Sequence, residues 1–262
     1  MSFRRNRITR PIYRWAKTAL PPISPTEARA IDAGTVWWDG ELFGGAPDWG
    51  RLLAMPPATL SADERAFLHG PVEDLCRMLD EWQIAEDRDL PEPVWDFLKR
   101  HRFFGMVIPK EYGGLGFSSA AHSEVVRKVS SASVVAGVTV MVPNSLGPGE
   151  LMLHFGTQAQ RDHWLPRLAD GLEIPCFGLT SADAGSDAAA MRDRGTVCYG
   201  EHEGSRVLGV RLDFAKRYIT LAPVATVLGL AFKLFDPENL LGGGEARGIT
   251  VALLPTSTPG VR

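Results

Sequence analysis

The sequence predicts an α+β protein, with helices in the first two thirds of the chain and strands in the last third. Up to Gly171, apolar residues recur at spacings of three and four, which is the period of an amphipathic helix. After Gly171 the chain changes to short runs rich in β-branched residues, separated by turn residues. With 45% apolar and 23% charged residues, the 262-residue chain has the composition of a folded globular protein. We expect an arm and irregular segment over residues 1–60, a helical domain over 61–172 and a β domain over 173–262.

A basic arm opens the chain. Six bases precede the first acidic residue, Glu27, and the rest of the chain has a net charge of −9, which is too acidic to wrap nucleic acid. On a helical wheel, apolar residues lie opposite the bases: Ile8, Ile12, Trp15 and Ala19. This pattern is typical of a helix on an anionic membrane surface, and a solvated tail that packs loosely on the protein fits it equally. Because proline disfavours a helix interior, we expect the helix to run from Pro11 to Pro21.

Capping and stop signals set the bounds of the next helices. Ser24–Glu27 and Ser61–Glu64 are capping boxes, and residues 37–59 between them are rich in Trp, Gly and Pro, which predicts an irregular surface segment. An apolar stripe follows the second box, with Gly70-Pro71 as its break point: Leu68, Val72, Leu75, Leu79 and Trp82. Three further helices are predicted, over residues 93–101, 118–133 and 157–171, and Thr157–Gln160 forms the capping box of the last one.

Strands are predicted in the last third of the chain, at Ile174–Thr180, Thr196–Gly200, Arg206–Phe214, Arg217–Leu221 and Ile249–Pro255. Glu203-Gly204-Ser205 suits a hairpin turn between two of them. The chain ends directly after the last run, where a half-built sheet has an unpaired edge. We therefore expect the natural protein to continue beyond Arg262.

Several functional classes lack their motifs. The three cysteines form no CxxC pair, which argues against a disulfide framework or zinc cluster and fits a reducing compartment such as the cytoplasm. The longest apolar runs, Val134–Val142 and Leu221–Phe232, are shorter than the roughly 18 residues of a membrane span. The histidines form no metal-ligand spacing, and Gly242-Gly243-Gly244 lacks the Lys-Ser or Lys-Thr of a P-loop. No catalytic or metal-binding residue is assigned.

One segment, Cys176–Asp187, carries more information. It reads Cys-Phe-Gly-Leu-Thr-Ser-Ala-Asp-Ala-Gly-Ser-Asp, a strand followed by a loop of small residues. Such a loop lets backbone N–H groups and hydroxyls approach a planar or anionic ligand. Physical reasoning alone leaves a plain surface loop as the more common case.

The segment resembles the signature of the acyl-CoA dehydrogenases, which are flavoproteins that oxidise acyl-CoA to 2-enoyl-CoA. Lys216–Thr220 is similar to the family's Lys-x-Trp-Ile-Thr element, and Ile108–Gly116 is similar to its Pro-x-x-Tyr-Gly-Gly-x-Gly element. The resemblance covers residues 61–262. Further stretches resemble the long, membrane-associated bacterial branch of fatty-acid β-oxidation: Thr35–Gly40, Pro143–Glu150 and Tyr218–Lys233. Ser181 replaces the usual Glu of the signature, and Tyr218 replaces the usual Trp.

The resemblance implies an N-terminal helical domain, a β-barrel or sandwich middle domain and a C-terminal four-helix domain that is missing here. It implies FAD as the cofactor and acyl-CoA as the substrate, with Ser186 near both the cofactor phosphates and the acyl-CoA. It places these residues at the flavin: Phe177, Leu179, Thr180, Gly185, Ser186, Tyr218, Ile219 and Thr220. The catalytic carboxylate belongs to the missing domain, so we expect this chain alone to be inactive.

The resemblance also implies partners and a location. The electron acceptor is an electron-transfer flavoprotein or a similar carrier, and the full-length protein is a homo-oligomer. The location is the cytoplasm, at the inner face of the bacterial inner membrane if residues 1–20 contact that membrane. Two alternatives stay open. An acyl-CoA oxidase passes its electrons to oxygen, and a cofactor-free interaction or peripheral membrane module keeps only the scaffold.

Overall fold

The computed structural model describes residues 3–20, 32, 34, 37–145 and 147–262. The chain divides into two compact units, Met1–Pro57 and Ala58–Arg262. The capping box predicted at Ser24–Glu27 lies outside the described residues.

In the N-terminal unit, the arm is helical from further upstream than predicted. A π-helical turn over Arg5–Thr9 continues into α1 (Arg10–Ala19), so Pro11 does not begin the helix. The reason is local: Pro11 lies in the first turn of α1, where the hydrogen-bonding pattern changes from π to α and its missing N–H costs little. No residue of α1 is buried.

The segment predicted to be irregular contains two short helices, α2 (Asp39–Gly44) and α3 (Trp49–Leu53). Trp38 is buried, and its indole Nε1 donates a 2.8 Å hydrogen bond to the carbonyl oxygen of Asp48. The rings of Trp38 and Trp49 lie 5.0 Å apart, centroid to centroid. This tryptophan pair therefore packs the two short helices together.

The second unit begins with helices. They are α4 (Ala62–His69), α5 (Pro71–Met78), α6 (Glu81–Asp87), α7 (Glu92–Arg100), α8 (Ser119–Ala132), α9 (Val134–Met141), α10 (Pro148–Phe155) and α11 (Gln158–Ala169). The predicted break at Gly70-Pro71 is confirmed, and a second break at Leu79-Asp80 separates α6. The prediction that Trp82 continues the core stripe is wrong, because this break turns its side chain out to 76% exposure.

The capping boxes at Ser61 and Thr157 are confirmed. Glu64 of the first box also reaches across the fold: its Oε2 accepts from the Ser61 N–H at 2.7 Å, and its Oε1 accepts from the Ser118 N–H at 2.7 Å. These hydrogen bonds lower the pKa of Glu64 to about 2. The buried carboxylate thus ties the start of α4 to the start of α8.

A five-stranded sheet follows, made of β1 (Pro175–Gly178), β2 (Arg194–His202), β3 (Ser205–Asp213), β4 (Val227–Phe235) and β5 (Ala246–Pro255). β4 is central: β5 pairs antiparallel along one edge, while β1 and then β2 pair in parallel along the other. β3 pairs antiparallel with β2 through the predicted hairpin, whose turn residues Glu203 and Gly204 both have positive φ. The α+β class is confirmed, with helices first and a sheet after them.

One strand prediction is wrong, and one observed strand is not among the predictions. Arg217–Leu221 is a loop and not a strand. The backbone turns beside the end of β1 and forms an isolated hydrogen bond, from the Arg217 N–H to the Thr180 carbonyl oxygen, instead of a ladder. The sequence pattern does not predict β4, because its residues are buried on both faces and lack the alternation that marks a half-buried strand.

Packed side chains join the sheet to the helices within this unit. Ile108, Leu165 and Leu168 of the helical part are buried in one cluster with Val227 of β4. The cluster fixes the end of the helical part against the strands that position the candidate site. Within the described part of the chain, no helix combines the length and apolar character needed to cross a membrane.

Candidate functional site

A cleft of about 260 Å³ lies where the end of β1 meets the loop at residues 216–221 and the turn before α10. Six of the eight residues predicted to contact a cofactor line it: Phe177, Leu179, Thr180, Tyr218, Ile219 and Thr220. The two elements are about forty residues apart in the chain. The structure therefore brings together two motifs that the sequence identified separately.

A buried ion pair holds the two elements together. Lys216 Nζ lies 2.6 Å from Asp193 Oδ2, and both side chains are almost fully buried. The same ammonium group donates a 2.9 Å hydrogen bond to the carbonyl oxygen of Leu179, and the Arg217 N–H donates to the carbonyl oxygen of Thr180 at 3.1 Å. Lys216 thus ties the lining of one side of the cleft to the other.

Asp193, the residue immediately before β2, completes this arrangement. Its Oδ1 accepts the backbone N–H of Ala215 at 3.0 Å, next to the Lys216 contact. Burial acts to raise the pKa of Asp193, but the hydrogen bonds from Lys216 and Ala215 hold it below its ordinary value. The carboxylate is therefore charged, as a partner of a buried ammonium must be.

The cleft has the surface chemistry for a flat aromatic ligand with a polar edge. Phe177 and Leu179 are half-buried and apolar, while the Tyr218 ring is 90% exposed. Among the described residues, the hydroxyls of Thr180 and Thr220 have no hydrogen-bond partner, so both can bond a ligand. An apolar wall with two free hydroxyls fits an isoalloxazine ring, which has aromatic faces and a hydrogen-bonding edge.

The other two predicted residues, Gly185 and Ser186, lie outside the lining of this cleft. They sit on an exposed loop that begins with a tight turn, in which Ser181 and Ala184 exchange backbone hydrogen bonds of 3.1 and 3.2 Å. Ser181, which stands where the family signature has Glu, keeps its hydroxyl buried. This hydroxyl lies near Asp193 and acts with Lys216 and Ala215 to lower the pKa of that carboxyl. The roles of Gly185 and Ser186 stay predictions.

Sequence reasoning missed the third wall of the cleft, formed by Val142, Ser145 and Gly147. Buried Asn144 holds this turn in place: its Nδ2 donates to the carbonyl oxygen of Phe103 at 2.6 Å, and its Oδ1 accepts from the Val107 N–H at 3.2 Å. Residues 143–150 resemble one branch of the family, but no periodicity in the sequence marks them as part of a site.

Comparison with known proteins gives consistent results. The model of the acyl-CoA dehydrogenase N-terminal domain family matches residues 65–172. The chain is 33% identical over 140 residues to the human mitochondrial very long-chain specific acyl-CoA dehydrogenase. The aligned region is 52% of this chain and 21% of that protein. It is 30% identical over 179 residues to a 3-(aryl)acrylate reductase of Clostridium sporogenes, over 68% of this chain and 44% of that protein.

Among solved structures, a glutaryl-CoA dehydrogenase of Mycobacterium smegmatis superimposes with a TM-score of 0.59 at 30% identity, over 77% of this chain and 48% of that one. The chain spans less than half the length of each of these three proteins. The family match lies within the helical part, and the structural match covers more of the chain than that part contains.

Proposed function

The chain carries the N-terminal domain of the acyl-CoA dehydrogenase family at residues 65–172, and on that premise we propose that it is part of a flavin-dependent oxidoreductase acting on acyl-CoA. The observation that supports this most directly is the cleft, which gathers six residues of two separate family motifs around one space. FAD is the proposed cofactor and supplies the hydride acceptor when it is bound.

The residues of the cleft have distinct proposed roles. Phe177, Leu179 and Ile219 form the apolar bed of the flavin ring, and the hydroxyls of Thr180 and Thr220 bond its polar edge. Tyr218 stands where the family has Trp, so it keeps an aromatic face beside the ring and adds a hydroxyl. Gly185 and Ser186, on the exposed loop, approach the cofactor phosphates or the acyl-CoA. No residue of this chain is assigned as the catalytic base.

Flavin binding to the 262-residue chain tests the proposal. We expect quenching of FAD fluorescence on binding, and weaker binding for Thr220→Val by about 1–3 kcal/mol, since a polar flavin edge loses its partner at nearly constant volume. Thr250→Val, on β5 outside the cleft, is the matched control and should leave the affinity unchanged. If neither the parent chain nor the control binds FAD, the cofactor-free scaffold is the better description.

The finer parts of the proposal concern the cellular role. We place the protein in fatty-acid β-oxidation, with an electron-transfer flavoprotein or similar carrier as the electron acceptor and a homo-oligomer as the full-length form. An oxidase remains the nearest variant. Steady production of peroxide from acyl-CoA by the full-length protein would identify an oxidase, whereas dependence on an added electron carrier would identify a dehydrogenase.

We further propose that residues 1–20 contact the inner face of a bacterial membrane. The supporting observation is that Ile8, Ile12 and Trp15 are all exposed, although each is a large apolar side chain. Bases of the same segment, such as Arg14 and Lys17, are exposed as well. Each base near an anionic surface contributes roughly 1 kcal/mol, and the apolar side chains add their own burial.

Sedimentation with anionic vesicles tests this contact. We expect the chain to bind at low salt, and the paired change Arg14→Gln and Lys17→Gln to weaken binding by about 2 kcal/mol. Higher salt should weaken the parent chain most, because it carries more of the charge that salt screens. Equal binding by the two forms would contradict the proposal.

A further inference from the structure

A second cavity, of about 240 Å³, lies between α8 and α10, and it shares no lining residue with the cleft described above. Part of its lining is apolar and consists of Val107, Phe117 and Leu153. The rest is polar and consists of these residues: Ser119, His122, Asn144, Glu150 and His154. We call this space the histidine cavity.

Helical spacing explains why these polar side chains meet. Ser119 and His122 are three positions apart in the first turns of α8, and Glu150 and His154 are four positions apart on α10. Residues at these spacings lie on one face of a helix. Two helices therefore present a hydroxyl, a carboxylate and two imidazoles to one space.

His122 has a buried ring nitrogen that lacks a partner. Among the described residues, nothing hydrogen-bonds to its Nε2, and neither His122 nor Glu150 takes part in an ion pair. Burial lowers the pKa of the His122 imidazole, whereas the charge of Glu150 acts to raise it. The ring is therefore neutral at neutral pH, and a neutral imidazole protonated at Nδ1 accepts a hydrogen bond at Nε2.

The other groups of the lining favour a cationic ligand. Glu150 is the only carboxylate among the described lining residues, which include neither Lys nor Arg. The amide of Asn144 is already bonded to backbone atoms on both its nitrogen and its oxygen. The groups left for a ligand are therefore mainly hydrogen-bond acceptors. A metal ion fits less well, since the described part of the chain contains no group of three His, Cys, Asp or Glu side chains placed to hold one.

We propose that the histidine cavity binds a small primary alkylammonium ion. The ammonium group donates hydrogen bonds to the Glu150 carboxylate and to His122 Nε2, and the alkyl chain packs against Phe117 and Leu153. Hydrogen bonds between an ammonium group and a carboxylate are stronger than those between neutral groups, which gives the cavity its preference for a cation. This inference does not depend on the proposed function, because it involves neither the cleft nor a flavin.

The experiment is an NMR titration of the 262-residue chain with three probes of similar length, n-butylammonium, n-butanol and butyrate. One test variant is Glu150→Gln, which removes the charge of an exposed side chain at nearly constant size. The other is His122→Leu, which removes the buried acceptor. The control is Glu124→Gln, since Glu124 also lies on α8 but pairs with Arg127 at 2.7 Å outside the cavity.

In the parent chain, n-butylammonium should shift the backbone amide resonances of α10 and of the start of α8. It should bind about fivefold more tightly than n-butanol, because a hydrogen bond to a charged group contributes more than one between neutral groups. Butyrate should bind most weakly, since Glu150 repels it.

Glu150→Gln should abolish the preference for n-butylammonium, His122→Leu should weaken its binding severalfold, and Glu124→Gln should leave it unchanged. Equal affinities for the three probes, equal losses in Glu150→Gln and Glu124→Gln, or shifts confined to other surfaces would each overturn the inference. If His122→Leu does not fold, the comparison of Glu150→Gln with Glu124→Gln still decides the question.

Discussion

At the scale of single residues, we expect the buried ion pair between Lys216 and Asp193 to make a large contribution to stability. The pair joins the loop that lines the cleft to the residue immediately before β2. Removing one partner of a buried pair leaves an uncompensated charge, which typically costs about 3–5 kcal/mol. We therefore expect Lys216→Met to lower the free energy of unfolding by that amount, measured by urea denaturation.

The matched control for Lys216→Met is Lys110→Met. Lys110 Nζ lies 3.0 Å from Asp63 Oδ2, but both side chains are about 70% exposed. Because water already solvates exposed ion pairs, this substitution should change the free energy of unfolding by only about 0–1 kcal/mol. Similar losses in the two variants would contradict the structural role given to the buried pair.

Glu64 makes stability depend on acid pH. Its folded-state pKa of about 2 lies below the ordinary value of 4.5, because the backbone N–H groups of Ser118 and Ser61 bond the charged form. The carboxylate therefore stabilises the fold fully above pH 4.5, and this contribution disappears as the pH falls toward 2. We expect Glu64→Gln to cost about 1.5–3 kcal/mol near neutral pH and progressively less in acid.

Urea denaturation across this pH range measures the effect. Ser61→Ala is the comparison, since it removes a neutral capping hydroxyl from the same box and should cost about 1 kcal/mol with little dependence on pH. A penalty for Glu64→Gln that stays constant down to the acid limit would show that its charge does not stabilise the fold.

At the scale of elements, β2 contains two glycines with different surroundings. A Cβ on Gly195 would lie 2.4 Å from Phe232 Cε2 and 2.9 Å from Val210 Cγ1, whereas a Cβ on Gly200 would meet nothing within 4 Å. We expect Gly195→Ala to destabilise the protein by about 1–3 kcal/mol through overpacking. Gly200→Ala should be neutral or slightly stabilising, because it only removes backbone freedom from the unfolded chain.

Thermal denaturation of the two variants gives a direct comparison, because the same substitution is made twice on one strand. A clear fall in Tm for Gly195→Ala, with none for Gly200→Ala, is the expected result. Equal Tm values would mean that the packing of β2 against Phe232 is looser than the structure has it.

The elements also show what can be predicted from sequence. Capping boxes such as Ser61 and Thr157, and the Glu203-Gly204 turn, depend on residues a few positions apart, and all were predicted correctly. β4 was not, because its burial comes from strands elsewhere in the chain that cover both of its faces. Arg217–Leu221 has β-rich composition, but its conformation depends on the hydrogen bond from Arg217 to Thr180 and on the contact of the neighbouring Lys216 with Asp193. The local sequence pattern does not encode these contacts.

The candidate site shows the same difference between what local motifs predict and what depends on tertiary contacts. Motif resemblance identified Thr180 and Thr220, and the structure places both at one cleft. The turn that contributes Ser145 is held there by Asn144, through contacts with residues about forty positions away. Such a wall is defined by tertiary structure alone, so no spacing in the sequence could indicate it.

At the scale of the whole molecule, the two compact units differ in how they bury apolar side chains. The hydrophobic core clusters of the described residues lie within Ala58–Arg262, and α1 buries none of its side chains. We therefore expect deletion of residues 1–20 to leave the free energy of unfolding and the FAD affinity of the remaining chain unchanged. Urea denaturation and FAD fluorescence quenching on both forms measure these two quantities.

The same deletion should abolish binding to anionic vesicles, because it removes every exposed base of the arm together with Ile8, Ile12 and Trp15. Neutral vesicles are the control, since they offer the apolar interior without the charge and should bind both forms weakly. If the deletion lowered the free energy of unfolding and left vesicle binding intact, it would contradict the proposed membrane contact of residues 1–20. The arm would then be a packing segment of the folded protein, and the membrane contact would have to lie elsewhere on its surface.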